Sequence, residues 1–281
     1  MGVIFGLAAA LAYGASDFIA GLLSRRMSSL QVAAVGQLTA TVCTAAALPL
    51  TSPPAPHAAA LAWGAASGLG AAIGTLALYR GLALGKMAVA APLSGVGAAA
   101  LPVIAGFALG ERPSQLALAG IVLSLPAVWL VSKADSNTGA ADRWSFSAGV
   151  GDGLLAGVGF ALLFLGLDRA GNTTGLWPVA AAQLASAVLL CGGALIRRTS
   201  LLSKARSMAA AASVGVFGGV ATVLFFAATH AGLLSLAAVL TSLYPAFTVL
   251  LARFTLGERF GRVQSIGLGL AGVAVVLIVT G

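Results

Sequence analysis

The sequence has few charged residues for its length. Of its 281 residues, 8% are charged and 59% are hydrophobic, and the mean hydropathy is +1.03. A soluble domain carries about a quarter of charged residues, so this chain lacks the polar surface that such a domain needs. Apolar runs of about 20 residues, each long enough to cross a hydrocarbon core of ~30 Å, recur along the chain. We therefore expect an integral membrane protein.

Cysteine and histidine are also scarce, with two of each. Cys43 and Cys191 each lie inside an apolar run, which predicts buried, inert thiols rather than a disulfide or a metal site. The sequence has no Gly-Lys-Ser/Thr loop to hold phosphates, so ATP hydrolysis is not supported. We expect neither a metal nor a cofactor.

The net charge of +8 does not indicate a nucleic-acid partner. Lys and Arg occur in short clusters between apolar runs, which is typical of loops at a membrane surface. They form no basic stripe with interleaved aromatic residues. We expect the lipid bilayer to be the surrounding partner.

Charge, proline, glycine and serine divide the chain into apolar runs that must be helices, because unpaired backbone is unfavourable in lipid. Their length and lack of strict alternation exclude a β-barrel. The predicted helices lie near 2–23, 30–50, 59–84, 88–109, 115–132, 147–167, 176–196, 208–231, 234–256 and 263–280.

An internal repeat relates the two halves of the chain. The longest polar stretch, 133–145, lies at the centre. A shift of 147 residues superposes the Leu-Gly-Glu-Arg segments at 109–112 and 256–259, and it also pairs several glycines: Gly6 with Gly153, Gly68 with Gly215, Gly85 with Gly232, and Gly120 with Gly267. Five helices is an odd number, so the second half would enter the membrane upside down. We predict an all-α membrane protein of ten transmembrane helices, built as inverted repeats over 1–140 and 141–281.

The repeated segments also resemble a known family. The stretch 76–85, followed by Ala91-Pro92-Leu93, is similar to the third and fourth helices of the EamA family in the drug/metabolite transporter superfamily. The stretch 242–251, followed by 256–259, resembles its ninth helix and the next turn. A Gly-x-x-x-Ala-Gly-Val pattern begins at Gly267 in the last helix.

This resemblance implies a ten-helix bundle with a central cavity lined by helices 1, 3, 4, 6, 8 and 9. It also implies export or uptake of small metabolites, such as amino acids, or of toxic compounds. The two halves differ in their prolines. The first half has Ala98 at the position that matches Pro245 of the second half, and it has Pro92 and Pro102 in the same helix instead. We expect each of these prolines to distort its helix, since each removes a backbone donor.

Two charged residues inside the predicted helices are candidates for substrate or proton binding. Asp17 lies in helix 1, where a carboxylate is unfavourable and commonly functional. It could carry a coupling proton, or it could form an ion pair that only fixes helix 1. Arg80 lies near the end of helix 3, where it could pair with Asp17, hold a substrate carboxylate or extend to the membrane surface.

Uncharged polar residues could add hydrogen bonds in the cavity or between helices. They are Tyr13, one helical turn before Asp17, together with Gln37, Tyr79, Ser94, Gln183, Thr229 and Tyr244. His230 reads as a solvated histidine rather than a proton relay. The two Gly-Glu-Arg turns are expected to cap helices 5 and 10, with gating as the alternative.

We predict a secondary transporter in the plasma membrane, monomeric or homodimeric, that moves a small solute by alternating access, with export favoured. Few charges among the cavity candidates favour neutral, zwitterionic or amphipathic solutes. The alternative is an intramembrane enzyme acting on lipid or peptide, but the sequence offers no convergent set of catalytic groups.

All but Arg112 and Arg169 of the 15 basic residues fall in odd-numbered connections or adjacent helix ends. This bias predicts termini outside the cell, whereas the family is usually described with both inside.

Overall fold

The computed structural model of the chain describes residues 1–51, 54–83, 87–132, 143–256 and 261–281. Within these residues every regular element is an α-helix. The helices are α1 (Gly2–Ser24), α2 (Ser29–Thr51), α3 (Ala58–Ala83), α4 (Met87–Ala108), α5 (Gln115–Ser132), α6 (Arg143–Arg169), α7 (Trp177–Ile196), α8 (Ala205–His230), α9 (Leu234–Thr241), α10 (Tyr244–Leu256) and α11 (Arg262–Thr280).

The helices end where the sequence supplies residues that stop them. Gly110 follows α4 with φ of 94°, and Gly171 follows α6 with φ of 71°. A residue with a Cβ atom is strained in this left-handed region, so glycine suits both turns. The short connections bring consecutive helices back across the same bundle.

The ninth predicted helix is interrupted in its middle. α9 ends at Thr241 and α10 begins at Tyr244. Pro245 lies in the first turn of α10. Backbone N–H groups in a first turn have no partner within their own helix, so α10 loses no hydrogen bond to proline there. The two residues between the helices are bonded to α9. The Ser242 N–H donates to the Ala238 carbonyl at 2.9 Å, and the Leu243 N–H donates to the Leu240 carbonyl at 3.3 Å.

The helices have the length and composition of membrane spans. Among the described residues, eight are long and apolar enough to cross a bilayer, with Leu234–Thr255 taken as one span, and two shorter apolar helices cover Leu93–Ala108 and Gln115–Val131. Large apolar side chains such as Ile4, Val42 and Val188 are more than 60% exposed. Such an apolar exterior would be unfavourable in water and is suited to lipid. The protein is embedded in the membrane.

Helices from the two halves of the chain pack against each other in matching pairs. α1 packs on α8 as α3 packs on α6, and α2 packs on α8 as α3 packs on α7. α5 packs on α11. Close approach depends on glycine: a Cβ on Gly68 would collide with the backbone of Ala182, and one on Gly215 with the backbone of Gly36.

The expected burial of the two cysteines is wrong. Cys43 is exposed and Cys191 is only partly buried. The exterior of the bundle is itself apolar, so an apolar run does not establish that a thiol is buried. Asp152 is a second acidic residue inside a helix, since it lies in α6 with a buried side chain.

Glu111 caps a helix other than the expected α5. Its carboxylate accepts hydrogen bonds from the backbone N–H groups of Leu234, at 2.6 Å, and Ser235, at 3.0 Å. These N–H groups have no partner within α9, and the positive end of the helix dipole favours a carboxylate there. The turn after α4 is thereby tied to the start of α9. The matching turn at 257–260 lies outside the described residues.

Candidate functional site

A cavity lies between α1, α2, α3, α6, α7, α8 and the start of α10. Its empty volume, counting the open space at its mouth, is about 750 Å³. Its polar lining residues are Tyr13, Ser16, Asp17, Gln37, Thr75, Tyr79, Gln183, Thr222 and Tyr244. The remaining lining residues are Ala33, Gly36, Ala40, Ala71, Phe160, Leu163, Phe164, Ala182, Val214, Gly215 and Gly218.

Asp17 is the one charged side chain among these lining residues. It lies on α1, one turn after Tyr13, and is half-buried. Within the described part of the chain, no cation lies at ion-pair distance from its carboxylate, and no side chain donates a hydrogen bond to it. A carboxylate placed this way can take a proton or a cationic group from outside the protein.

Three tyrosines, Tyr13, Tyr79 and Tyr244, line the cavity together with Asp17. The Tyr13 hydroxyl hydrogen-bonds to that of Thr222 at 2.9 Å, and the Tyr244 hydroxyl to that of Ser94 at 2.6 Å. The Tyr13 and Tyr244 rings meet edge to face, with centroids 6.4 Å apart. Phe160 meets Tyr244 in the same manner at 6.3 Å. These contacts fix two of the three tyrosine rings.

Two glutamines form the amide part of the lining. The Gln37 Nε2 group donates to the Gln183 side-chain carbonyl and, at 3.3 Å, to the Gln183 backbone carbonyl. Gln183 is 4% exposed, and its own Nε2 group has no partner among the described residues. A buried donor without an acceptor is costly, so a molecule that brought an acceptor to this N–H group would be stabilised.

The structure places Arg80 outside the cavity. Its guanidinium lies 3.4 Å from the Asp152 carboxylate, and its side chain is 56% exposed. The expected possibility of an ion pair between Arg80 and Asp17 is therefore not realised. The partner is on α6 because α3 packs along that helix. This helix pairing cannot be read from the distance between two residues in the sequence.

Other predicted residues are not among the described residues that line the cavity. Ser94 is fully buried and contributes through its bond to Tyr244. Thr229 bonds to the carbonyl of Phe226 at 3.0 Å and to His230 at 3.0 Å, near the end of α8. Pro102 is buried within α4, and the side chain of Pro92 lies outside the description.

Sequence analysis missed several lining residues that the repeat could have found. A shift of 147 residues carries Tyr13 to Phe160, Asp17 to Phe164, and Thr75 to Thr222. All six residues line the cavity. Searching for polar side chains alone overlooked the apolar members of these pairs. Among the described residues, no group of three or more His, Cys, Asp or Glu is placed to hold a metal ion.

Comparison with known proteins places the chain in a family. The sequence profile of the EamA-like transporter family matches residues 1–133 and again residues 148–280. No curated protein matches the sequence. A solved structure, titled only as the crystal structure of a protein, is similar with a TM-score of 0.79 and 16% identity, covering 98% of this chain and 95% of the other. That identity shows a shared fold alone. The chain belongs to the EamA-like transporter family, and hence to the drug/metabolite transporter superfamily.

Proposed function

We propose that this member of the EamA-like transporter family is a secondary transporter that exports a small metabolite by alternating access. Two five-helix repeats, 1–140 and 141–281, inserted in opposite orientations, would rock against each other around the cavity. The protein would act in the plasma membrane, as a monomer or homodimer, and would catalyse no reaction. The observation that carries the proposal is that positions related by the repeat line the same cavity.

Contacts between the helices support two equivalent halves. A Cβ on Gly6 of α1 would meet the side chain of Leu240 on α9 at 3.0 Å, and a Cβ on Gly153 of α6 would meet that of Leu93 on α4 at 2.7 Å. Gly6 matches Gly153 and Leu93 matches Leu240 under the same shift of 147 residues. A contact repeated in this way is expected if each half uses one face against the other.

The composition of the interface also supports movement between the halves. Gly68 and Gly215 lie at matching positions on α3 and α8, and each crosses a helix of the other half without an intervening side chain. Such smooth crossings have few interlocking side chains that would oppose sliding. Glu111 would transmit a shift of the α4–α5 turn to α9, because its carboxylate holds the first two amides of that helix.

Asp17 is our candidate for carrying a coupling proton. It is the charged group of the described lining, and a carboxylate can be neutral in one state of the cycle and ionised in the other. Tyr13, Tyr79 and Tyr244 contribute the polar surroundings. Solutes that are neutral, zwitterionic or amphipathic would suit a cavity with one carboxylate among small and apolar residues.

The test is counterflow and gradient-driven transport in liposomes that contain only this protein. A panel of amino acids, nucleosides, sugars and amines should include at least one transported solute. Asp17→Asn should abolish transport driven by a proton gradient while exchange persists in part. Asp168→Asn is the matched control, since this half-buried carboxylate at the end of α6 does not line the cavity. Folded protein that moves no solute, yet turns over a lipid or peptide, would instead support the enzyme alternative.

A further inference from the structure

The repeat places unlike side chains on the two sides of the cavity. From the first half come Tyr13, Ser16 and Asp17 on α1. Their counterparts on α6, at a shift of 147 residues, are Phe160, Leu163 and Phe164. We call these two sets the polar wall and the apolar wall. The helices that carry them are equivalent in the fold, so the difference lies in the side chains rather than in the backbone.

The polar wall carries a carboxyl group, on Asp17, that pairs with no basic side chain of the described structure. No Lys, Arg or His occurs among the described lining residues. Arg80 follows the lining residue Tyr79 in the sequence, but its guanidinium forms an ion pair with Asp152 rather than with Asp17. An isolated carboxylate in a poorly hydrated site is unfavourable, and a bound monovalent cation would offset that cost.

Aromatic rings beside the carboxylate favour an organic cation over an inorganic one. Tyr13, Tyr79 and Tyr244 line the same cavity as Asp17, and Tyr13 lies one turn before it on α1. Aromatic rings attract ammonium groups that have shed part of their hydration. A small metal ion would instead require several oxygen or nitrogen ligands, and Asp17 has no second carboxylate beside it in the described lining.

Two further features of the cavity indicate the chemistry of the rest of the ligand. Gln183 lines the cavity, and its buried Nε2 group has no acceptor among the described residues, so a hydroxyl or carbonyl oxygen of the ligand could satisfy it. The apolar wall offers Phe160, Leu163 and Phe164 to a hydrocarbon or aromatic body. Phe164 is held in place by a stack on Phe225 with ring centroids 4.0 Å apart, which gives this wall a fixed surface.

We propose that the transported solute is a small amphipathic amine, bound with its ammonium group at Asp17 and its apolar body against Phe160, Leu163 and Phe164. This inference rests on the proposed transport function and names its substrate class. A zwitterion is a poorer fit, because its carboxylate would find the Gln183 amide but no cation in the described lining. An anion fits worst, because an ionised Asp17 would repel it and the described lining holds no cation.

The experiment compares probes that share a body and differ in charge. Binding of 2-phenylethylamine, 2-phenylethanol and 3-phenylpropionate to the purified protein would be measured by calorimetry, with ethylamine and tryptamine to bracket the size. We expect one of the amines to bind, and 2-phenylethylamine to bind at least about tenfold more tightly than the alcohol, as for a charge-assisted contact. The anion should bind most weakly.

Three variants separate charge from folding and from the apolar wall. Asp17→Asn should reduce the ratio of amine to alcohol affinity to about one, while alcohol binding persists. Asp168→Asn should leave the ratio unchanged. Phe160→Ala should weaken the amine and the alcohol by similar factors, because the body rather than the charge contacts this residue.

Several results would overturn the inference. One is that none of the three amines binds. Another is that the protein prefers the anion or the alcohol. A third is that folded Asp17→Asn protein still prefers the amine. Transport of a neutral or acidic solute with Asp17 dispensable would also overturn it, while leaving the proposed transport function intact. Failure to transport any solute at all would remove the transport function itself.

Discussion

The fourth helix of the first half and its counterpart in the second half have the same place in the repeat but different shapes. α4 runs unbroken from Met87 to Ala108, whereas α9 and α10 are separated at Ser242 and Leu243. The second half has Pro245 where the first has Ala98. Proline at this position deprives the carbonyl four residues earlier of its helical partner. Proline alone does not decide the outcome, because α4 contains Pro92 and Pro102 and stays unbroken, contrary to the distortion expected of them. Pro245 therefore breaks its helix only together with the packing around it.

The break changes what the matching positions do. Gly97 matches Tyr244 under the repeat. Gly97 lets α4 approach α6, since a Cβ there would lie 2.9 Å from the Cα atom of Gly157. Tyr244 begins α10 and lines the cavity, with its hydroxyl bonded to Ser94 on α4. One half uses the position to pack helices and the other uses it to shape the cavity.

The largest loss of stability is expected from a substitution at Gly97, where α4 packs closely on α6. Gly97→Leu should lower the stability of the protein by about 1–3 kcal/mol or more, because the new side chain overlaps the backbone of α6. The melting temperature in detergent measures this change. Gly192→Leu is the control, since a Cβ at Gly192 meets nothing within 4 Å. Equal melting temperatures for the two variants would contradict the close contact at Gly97.

The second prediction concerns the break itself. Pro245→Ala restores an N–H group and allows α9 and α10 to join, which would move Tyr244 away from Ser94. We expect a folded protein, with transport reduced several-fold, because alanine is the more favourable residue within a continuous helix by ~3 kcal/mol. Transport by reconstituted liposomes is the measurement. Unchanged transport would show that the break is not required for the cavity to work.

The smallest expected effect is at the hydrogen bond between the two helices. Ser94→Ala and Tyr244→Phe each remove the same bond and should each lower stability by about 0.5–1.5 kcal/mol. The Ser94 hydroxyl also donates to the Ala91 carbonyl, at 3.0 Å, so Ser94→Ala should be the larger loss. The double variant should lose no more than Ser94→Ala alone, since that variant already removes the bond to Tyr244. Thermal unfolding of the three proteins tests this. Fully additive losses would mean that the two hydroxyls act independently.

The helices were largely predictable from the sequence because the bilayer fixes their length and apolar composition. The predicted run 30–50 corresponds to α2, Ser29–Thr51, and 115–132 coincides with α5. The interruption between α9 and α10 was harder to place. A proline predicts distortion, but neighbouring helices decide whether the helix bends or ends.

The site was less predictable, because side-chain neighbours depend on which helices touch. The structure brings Asp17, Gln37 and Gln183 to one cavity, although their function stays a prediction. Arg80 could not be assigned from sequence, since its ion pair depends on the packing of α3 against α6. The apolar wall was overlooked because phenylalanine and leucine in a membrane helix are indistinguishable from lipid-facing residues without a structure.

The inverted repeat can be tested most directly by labelling two cysteines at matching positions. Ala55 and Leu202 are related by the shift of 147 residues, and both are exposed in connections between helices. In a protein with Cys43 and Cys191 replaced, Ala55→Cys should react with a membrane-impermeant thiol reagent in intact cells, and Leu202→Cys should be protected until the cells are opened. A cysteine at Ser136, which lies outside the described residues, should be protected like Leu202→Cys. Reaction of only Leu202→Cys and Ser136→Cys would reverse the orientation predicted from charge but keep the inversion. Reaction of Ala55→Cys and Leu202→Cys from the same side would contradict the inverted repeat and, with it, alternating access between two opposed halves.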